Sequence, residues 1–177
     1  MDLRPSEMVN EKYQMKYGKS SSYPPTSDYW FLTSAFMSLS RKCVPFTPFE
    51  GELAKTTVAL VTAGGVHLKD QEPFNIADEL GDLGYRIILE DVDSSQLKVT
   101  HHHYDHSDAD KDINVVFPID VLRDLQVEGF IRGVARKNVG YMGYTMQLKA
   151  MYEGTAREIA NEIDKGSRAD VVVLTGG

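Results

Sequence analysis

From Lys55 onward, hydrophobic and polar positions alternate between two rhythms. Short apolar or β-branched runs over residues 56–62, 86–90, 97–101, 130–135 and 170–175 predict strands. Residues 119–128 and 146–165 predict helices, the second carrying Ala150, Met151, Ala156, Ile159, Ala160 and Ile163 at mixed spacings of three and four. The alternation predicts βα units. It implies an α/β domain over 51–177 with a mainly parallel sheet and flanking helices, Rossmann- or flavodoxin-like in class. Residues 1–50 differ in character. They hold most of the Ser, Pro and Tyr punctuation ("KSSSYPPTSDYW", "CVPFTPFEG") around one apolar segment, 30–39, whose spacing suits a short helix. An irregular N-terminal arm that packs on the domain or on a partner is expected there. There is no internal repeat.

Composition narrows the classes. A chain of 177 residues, 42% hydrophobic and 25% charged, suits a single globular domain with a sizeable core. The strongly apolar stretches, such as 58–63, fall far short of the roughly 20 residues a membrane-spanning helix needs, and the N-terminus has no signal-peptide apolar region. A cytoplasmic protein with no membrane role is expected. The net charge of -7 and pI near 5.2 argue against nucleic acid as a partner, because a basic footprint supplies most of that affinity. Cys43, the single cysteine, excludes an internal disulfide or a CxxC pair, and a buried or incidental thiol is expected at that position.

Three stretches carry candidate chemistry. "TAGGVH" follows the first predicted strand, so Gly64 and Gly65 would turn the backbone sharply with amides exposed at the carboxyl edge of the sheet, where they could hold a carboxylate or simply make a tight turn. "VGYMGY" places Gly140 and Gly143 in a similar position after a strand. The densest stretch is "VTHHHYDHSDADKDIN", with four histidines in six positions and Asp105 among them. Metal binding is suggested by composition. On a strand, however, His101 and His103 face one side and His102 the other, so at most two imidazoles converge where zinc needs at least three ligands. No metal site is expected. The loop after the strand would instead deliver one or two imidazoles and a carboxylate to a cleft, imidazole being suited to proton transfer near neutral pH. A polar surface loop with incidental histidines is the plain alternative.

"KTTVALVTAGGVHLKDQEPFN", "VTHHHYDHSDADKDINVVFPIDVLRDLQVEGFIRGVA", "VGYMG" and "ADVVVLTGG" resemble, in order and spacing, blocks of the selenoprotein B family. These are the substrate-specific subunits of glycine, sarcosine and betaine reductases and the related D-proline reductase subunit. The resemblance covers roughly residues 45–177, and the polar positions that match best are His67, His101, Tyr104, Asp105, Asp112 and Asn114.

Much of the functional expectation is what this resemblance implies. In the family, the strand resembling "VVVLTGG" runs into a selenocysteine or cysteine, so that residue is expected just after Gly177, and a reading frame closed at a selenocysteine codon is one explanation of the end. A trimmed or naturally short chain is the other. A selenol or thiol between a parallel strand and a helix would have a depressed pKa and be nucleophilic. The implied activity is an oxidoreductase of amino-acid metabolism that cleaves an alpha C–N bond of glycine, a glycine derivative or D-proline, with the printed chain inactive alone. His67, His101 and Asp105 are the expected catalytic residues, and Gly64, Gly65, Tyr104 and Asn114 the expected substrate contacts. The implied partners are a pyruvoyl-containing subunit, whose pyruvoyl group activates the amine, a small redox carrier protein and a small amino-acid substrate, in a homo- or hetero-oligomer. No cofactor is expected in the chain itself. The competing expectations are a non-catalytic scaffold or regulatory paralogue and a His-rich metal-binding protein.

Overall fold

The computed structural model describes residues 49–177. The arm up to residue 48, its predicted helix over 30–39 and Cys43 lie outside the described residues. In chain order the elements are β1 (Thr57–Thr62), β2 (Val66–Leu68), β3 (Tyr85–Leu89), β4 (Leu97–Val99), α1 (Ile119–Val127), β5 (Gly133–Val134), β6 (Lys137–Tyr141), α2 (Ala156–Ser167) and β7 (Val171–Thr175). A short α-helical turn, Leu148–Ala150, and a π-helical turn, Met151–Thr155, lead into α2.

The architecture is mixed α/β with a mostly parallel sheet. Strand β1 is its hub. It pairs in parallel with β7 along one edge, and with β5 and then β6 along the other. Strand β3 closes the far side antiparallel to β6. Separately, β2 and β4 form a two-stranded antiparallel ribbon.

The sequence of β1, TVALVT, explains its central place. Every residue after Thr57 is buried, and period-two alternation sends Val58 and Leu60 to one face and Ala59 and Val61 to the other. Val58 and Leu60 join Val66, Ile88, Phe117, Ile119 and Leu122 in one apolar layer that includes the inner side of α1. Ala59 and Val61 pack with Val139, Ile159 and Ile163, which brings α2 onto the opposite face.

Three elements differ from the expectation. The run predicted over 130–135 is paired only at Gly133–Val134, and the polar segment KNVGY after it forms the longer strand β6. The strand predicted over 97–101 ends at Val99, within the antiparallel ribbon rather than the parallel sheet. Finally, β6 runs through Gly140, which therefore belongs to a strand and not to a loop. A Cβ on Gly140 would stand 1.9 Å from the Val66 carbonyl oxygen, so only glycine lets the start of β2 cross β6 this closely.

Candidate functional site

The carboxyl ends of β1, β6 and β7 lie at one edge of the sheet, and the ribbon returns the chain to the same edge. Since Val66 pairs with Val99, the residues following β4 come back beside those preceding β2, and the Thr100 amide donates to the Gly65 carbonyl at 2.9 Å. Segments 63–65, 100–104, 141–143 and 175–177 therefore meet. Open parallel sheets place their ligand crevices at this edge.

The turn after β1 is tightly held. Gly65 has φ +70, and a Cβ there would stand 2.5 Å from the Thr100 carbonyl oxygen. Both amides are engaged within the chain: Gly64 N–H donates to Thr62 Oγ1 at 3.1 Å, and Gly65 N–H to the Tyr141 carbonyl at 2.9 Å. This corrects the expectation of open amides for a carboxylate. The turn shapes this edge through its backbone instead. Gly143, read from the sequence as a turn or loop position after a strand, donates its amide to the Ala63 carbonyl and ties the end of β6 to the same turn.

Tyr104 reaches over the Gly64 turn and the end of the chain at Gly177 from the histidine loop. Its hydroxyl donates to the Gly64 carbonyl at 2.8 Å, and its ring lies so close to Gly177 that a Cβ there would approach it to 2.6 Å. Burial, with a lesser push from Asp110, raises the phenol above its ordinary pKa, so it remains a proton donor in this bond. His101 packs its ring edge against Tyr104, with centroids 4.8 Å apart. Only 7% of His101 is exposed, and its Nδ1 accepts the His103 amide at 3.1 Å. An accepting Nδ1 places the proton of the neutral ring on Nε2. Burial first, and then the neighbouring His103, His102 and His106, lower its pKa. His101 is consequently a neutral hydrogen-bond donor through Nε2. Protonating Nδ1 would break its bond to the His103 amide.

The other expected residues have different surroundings. His67 is fully buried, with Nδ1 2.6 Å from the Leu68 carbonyl and Nε2 2.8 Å from Thr100 Oγ1. A carbonyl can only accept, so Nδ1 carries the proton and Nε2 takes the Thr100 hydroxyl. Burial lowers its pKa. Both nitrogens are engaged inside the chain, so His67 braces the ribbon. Asp105 is exposed, and its carboxylate accepts the Ser107 amide, which holds its pKa below the ordinary value. Asn114 is occupied in a turn: its amide nitrogen donates to Asp112 and Asp120 carboxylates, and its oxygen accepts the Asp120 amide at the start of α1. Asp112 caps the same turn through the Asn114 amide.

The remaining histidines do not converge on a metal. His102 stacks on His103, His103 stacks on Tyr144 at 3.5 Å, and His106 pairs with Asp110 at 2.8 Å. Among the described residues, no three metal-ligating side chains gather.

Two threonines that sequence reasoning passed over complete the edge. Thr62 and Thr175, opposite each other at the ends of β1 and β7, donate their hydroxyls to the same Val116 carbonyl, at 2.9 and 2.6 Å. A signal for them exists, since "VALVTAGG" and "VVVLTGG" both run from apolar strand residues into Thr and, after one alanine or directly, a glycine pair.

Residues 27–177 match the family described as Glycine/sarcosine/betaine reductase selenoprotein B (GRDB). The chain belongs to this family. Among curated members, D-proline reductase subunit gamma of Acetoanaerobium sticklandii is 45% identical over 132 residues, covering 75% of this chain and 53% of that subunit. Glycine reductase complex component B subunit gamma of Symbiobacterium thermophilum is 33% identical over 135 residues, covering 75% of this chain and 31% of the relative. Sarcosine reductase complex component B subunit beta of Peptoclostridium acidaminophilum is 31% identical over 139 residues, or 76% of this chain and 31% of the relative. The chain thus spans about half the length of the first relative and about a third of the others. No solved structure matches it. In this selenoprotein B chain, the family-like blocks "TAGGVH", "HHHYDH", "VGYMG" and "VVVLTGG" are the segments that meet at the sheet edge.

Proposed function

We propose that this chain is a component of a reductase complex that cleaves the alpha C–N bond of a small amino acid, and that D-proline is its substrate. Membership of the selenoprotein B family supports the first part. The second is supported by the gap between 45% identity to a D-proline reductase subunit and 31–34% to glycine and sarcosine reductase subunits. The mostly parallel sheet is taken as Rossmann- or flavodoxin-like, with the substrate at its carboxyl edge.

In this reading, Tyr104 and His101 form the wall of the crevice. The His101 Nε2–H donates to the substrate carboxylate, a role that suits a buried neutral imidazole better than repeated proton exchange. The Tyr104 hydroxyl and the Gly64 turn hold the tip of β7 against that wall. The redox residue is a selenocysteine or cysteine following Gly177, and it supplies the nucleophile for the two-electron reduction. A pyruvoyl-containing subunit and a small redox carrier protein are the partners. They supply amine activation and the electrons. The compartment is the cytoplasm, and no described helix is long and apolar enough to cross a membrane.

The test is to express the complete gene with its candidate partner subunits and follow dithiol-dependent reduction of D-proline, glycine, sarcosine and betaine. Activity greatest on D-proline is expected. A partnered protein inactive on all four would overturn the reductase reading and favour the scaffold.

A further inference from the structure

We infer that Thr62 and Thr175 act as paired positioning residues that set the crevice by clamping two strand tips to one carbonyl. The two residues face each other in the parallel register of β1 and β7. A backbone carbonyl has two lone pairs, and Val116 gives one to each hydroxyl, at 2.9 and 2.6 Å. Val116 follows the turn that Asp112 caps, so its carbonyl is itself anchored.

The clamp extends further through Thr62. While donating to Val116, its hydroxyl accepts the Gly64 amide at 3.1 Å, and the Gly64 carbonyl accepts the Tyr104 hydroxyl at 2.8 Å. One continuous set of hydrogen bonds therefore joins the turn after β1, the tip of β7 and the histidine loop. On the β7 side, the ladder's last bond runs from the Ala63 amide to the Thr175 carbonyl, so the side-chain clamp adds a second tie at the residue where the ladder ends. Leu174, just before it, is 75% exposed and contributes little packing.

The inference rests on the reading of this edge as the substrate site. In the complete protein with its partner subunits, Thr175→Val and Thr62→Val remove a hydroxyl at nearly constant volume, and the corresponding Ser variants restore it. Thr56→Val is the matched control, because the buried Thr56 hydroxyl bonds the Glu52 carbonyl at the opposite end of β1. We expect kcat to fall about tenfold or more in both Val variants with KM within about twofold, as for a misplaced reacting geometry, and Ser to recover most of it. Thr56→Val should lower the melting temperature comparably and leave kcat unchanged. Equal kcat in the Thr175, Thr62 and Thr56 variants, or failure of Ser to rescue, would overturn the inference. A second readout needs no activity: Gly64 amide exchange should accelerate at least about tenfold in Thr62→Val but not in Thr56→Val. If the wild-type complex reduces no amine, the substrate reading fails, and amide exchange alone decides the clamp.

Discussion

Replacing Asn138 with Ala should cost this domain several kcal/mol, and the reason lies in an interruption of the ladder. Val58 of β1 pairs with Val134, but Val61 pairs with Val139, so three steps on β1 oppose five on its partner. Two extra residues bulge out. Opposite the gap, the Leu60 amide finds its acceptor in Asn138 Oδ1 at 2.8 Å, and Asn138 Nδ2 donates to the Ala135 carbonyl at 3.0 Å. Asn138 is fully buried, so no water can substitute. Its removal leaves a buried donor and a buried acceptor unpaired, at about 1–3 kcal/mol each, or roughly 2–6 kcal/mol together. At about 3 °C per kcal/mol for a domain of this size, the melting temperature should fall by roughly 6–18 °C. Chemical denaturation followed by circular dichroism measures the difference. Asn138→Asp refines the test. It keeps the acceptor for Leu60 but buries a carboxylate, whose folded pKa must rise above its unfolded value. The stability of this variant should be greatest at acid pH, where the protonated acid can both donate and accept, and should be lost as pH rises through the folded pKa. An Ala variant within about 1 kcal/mol of wild type would refute the role assigned to this side chain.

Three further outcomes are expected. Since burial lowers the pKa of His67 and His101 in the folded state, stability should be complete above about pH 6.5, the ordinary imidazole value, and decline as pH falls below it; equal urea midpoints at about pH 7.5 and 5.5 would contradict this. Tyr104→Phe should cost about 1 kcal/mol by leaving the Gly64 carbonyl without its donor, and should leave the far end of β1 unaffected by amide exchange. The purified chain, dialysed without chelator, should retain far less than one equivalent of zinc by elemental analysis; a full equivalent lost in His102→Ala would mean that the histidine loop refolds around metal.

The legible parts of the fold are those in which burial alone decides the element. TVALVT is apolar on both faces and is buried as an interior parallel strand, and Ile119–Val127 shows its inner stripe through Ile119 and Leu122; VVVLT reads the same way in sequence but lies at the sheet edge beside β1, with Val172, Val173 and Leu174 exposed. Strand β6 escapes because Lys137, Asn138 and Gly140 are poor strand formers; each is there for a tertiary reason, such as the Asn138 bond to Leu60 or the close crossing at Gly140. Strand β2 escapes because three residues leave no period to read. At the site, the meeting of Gly64 with the histidine loop was anticipated, but for a different reason. Residues 97–99 reach that edge through an antiparallel ribbon and not as a parallel strand. The roles of the glycine amides and of Asn114 were illegible because both depend on partners distant in sequence or folded back within a turn.

The hub position of β1 also has a consequence for synthesis. Its partners lie far downstream: Thr57 pairs with Gly133, and Val58 with Val171, 113 residues later. As the chain leaves the ribosome, TVALVT emerges well before its partners and stays unpaired, apolar on both faces, until Gly133 follows 76 residues later, and its β7 edge stays open until nearly the whole of the described chain has been translated. At about 5–20 residues per second, the wait for β7 lasts roughly 6–20 seconds, ample time for an exposed strand to find the wrong neighbour. Closing such long loops before any contact rewards them makes for a slow nucleus. Recovery of native protein should therefore depend on chaperone supply and growth temperature more than its final stability would suggest.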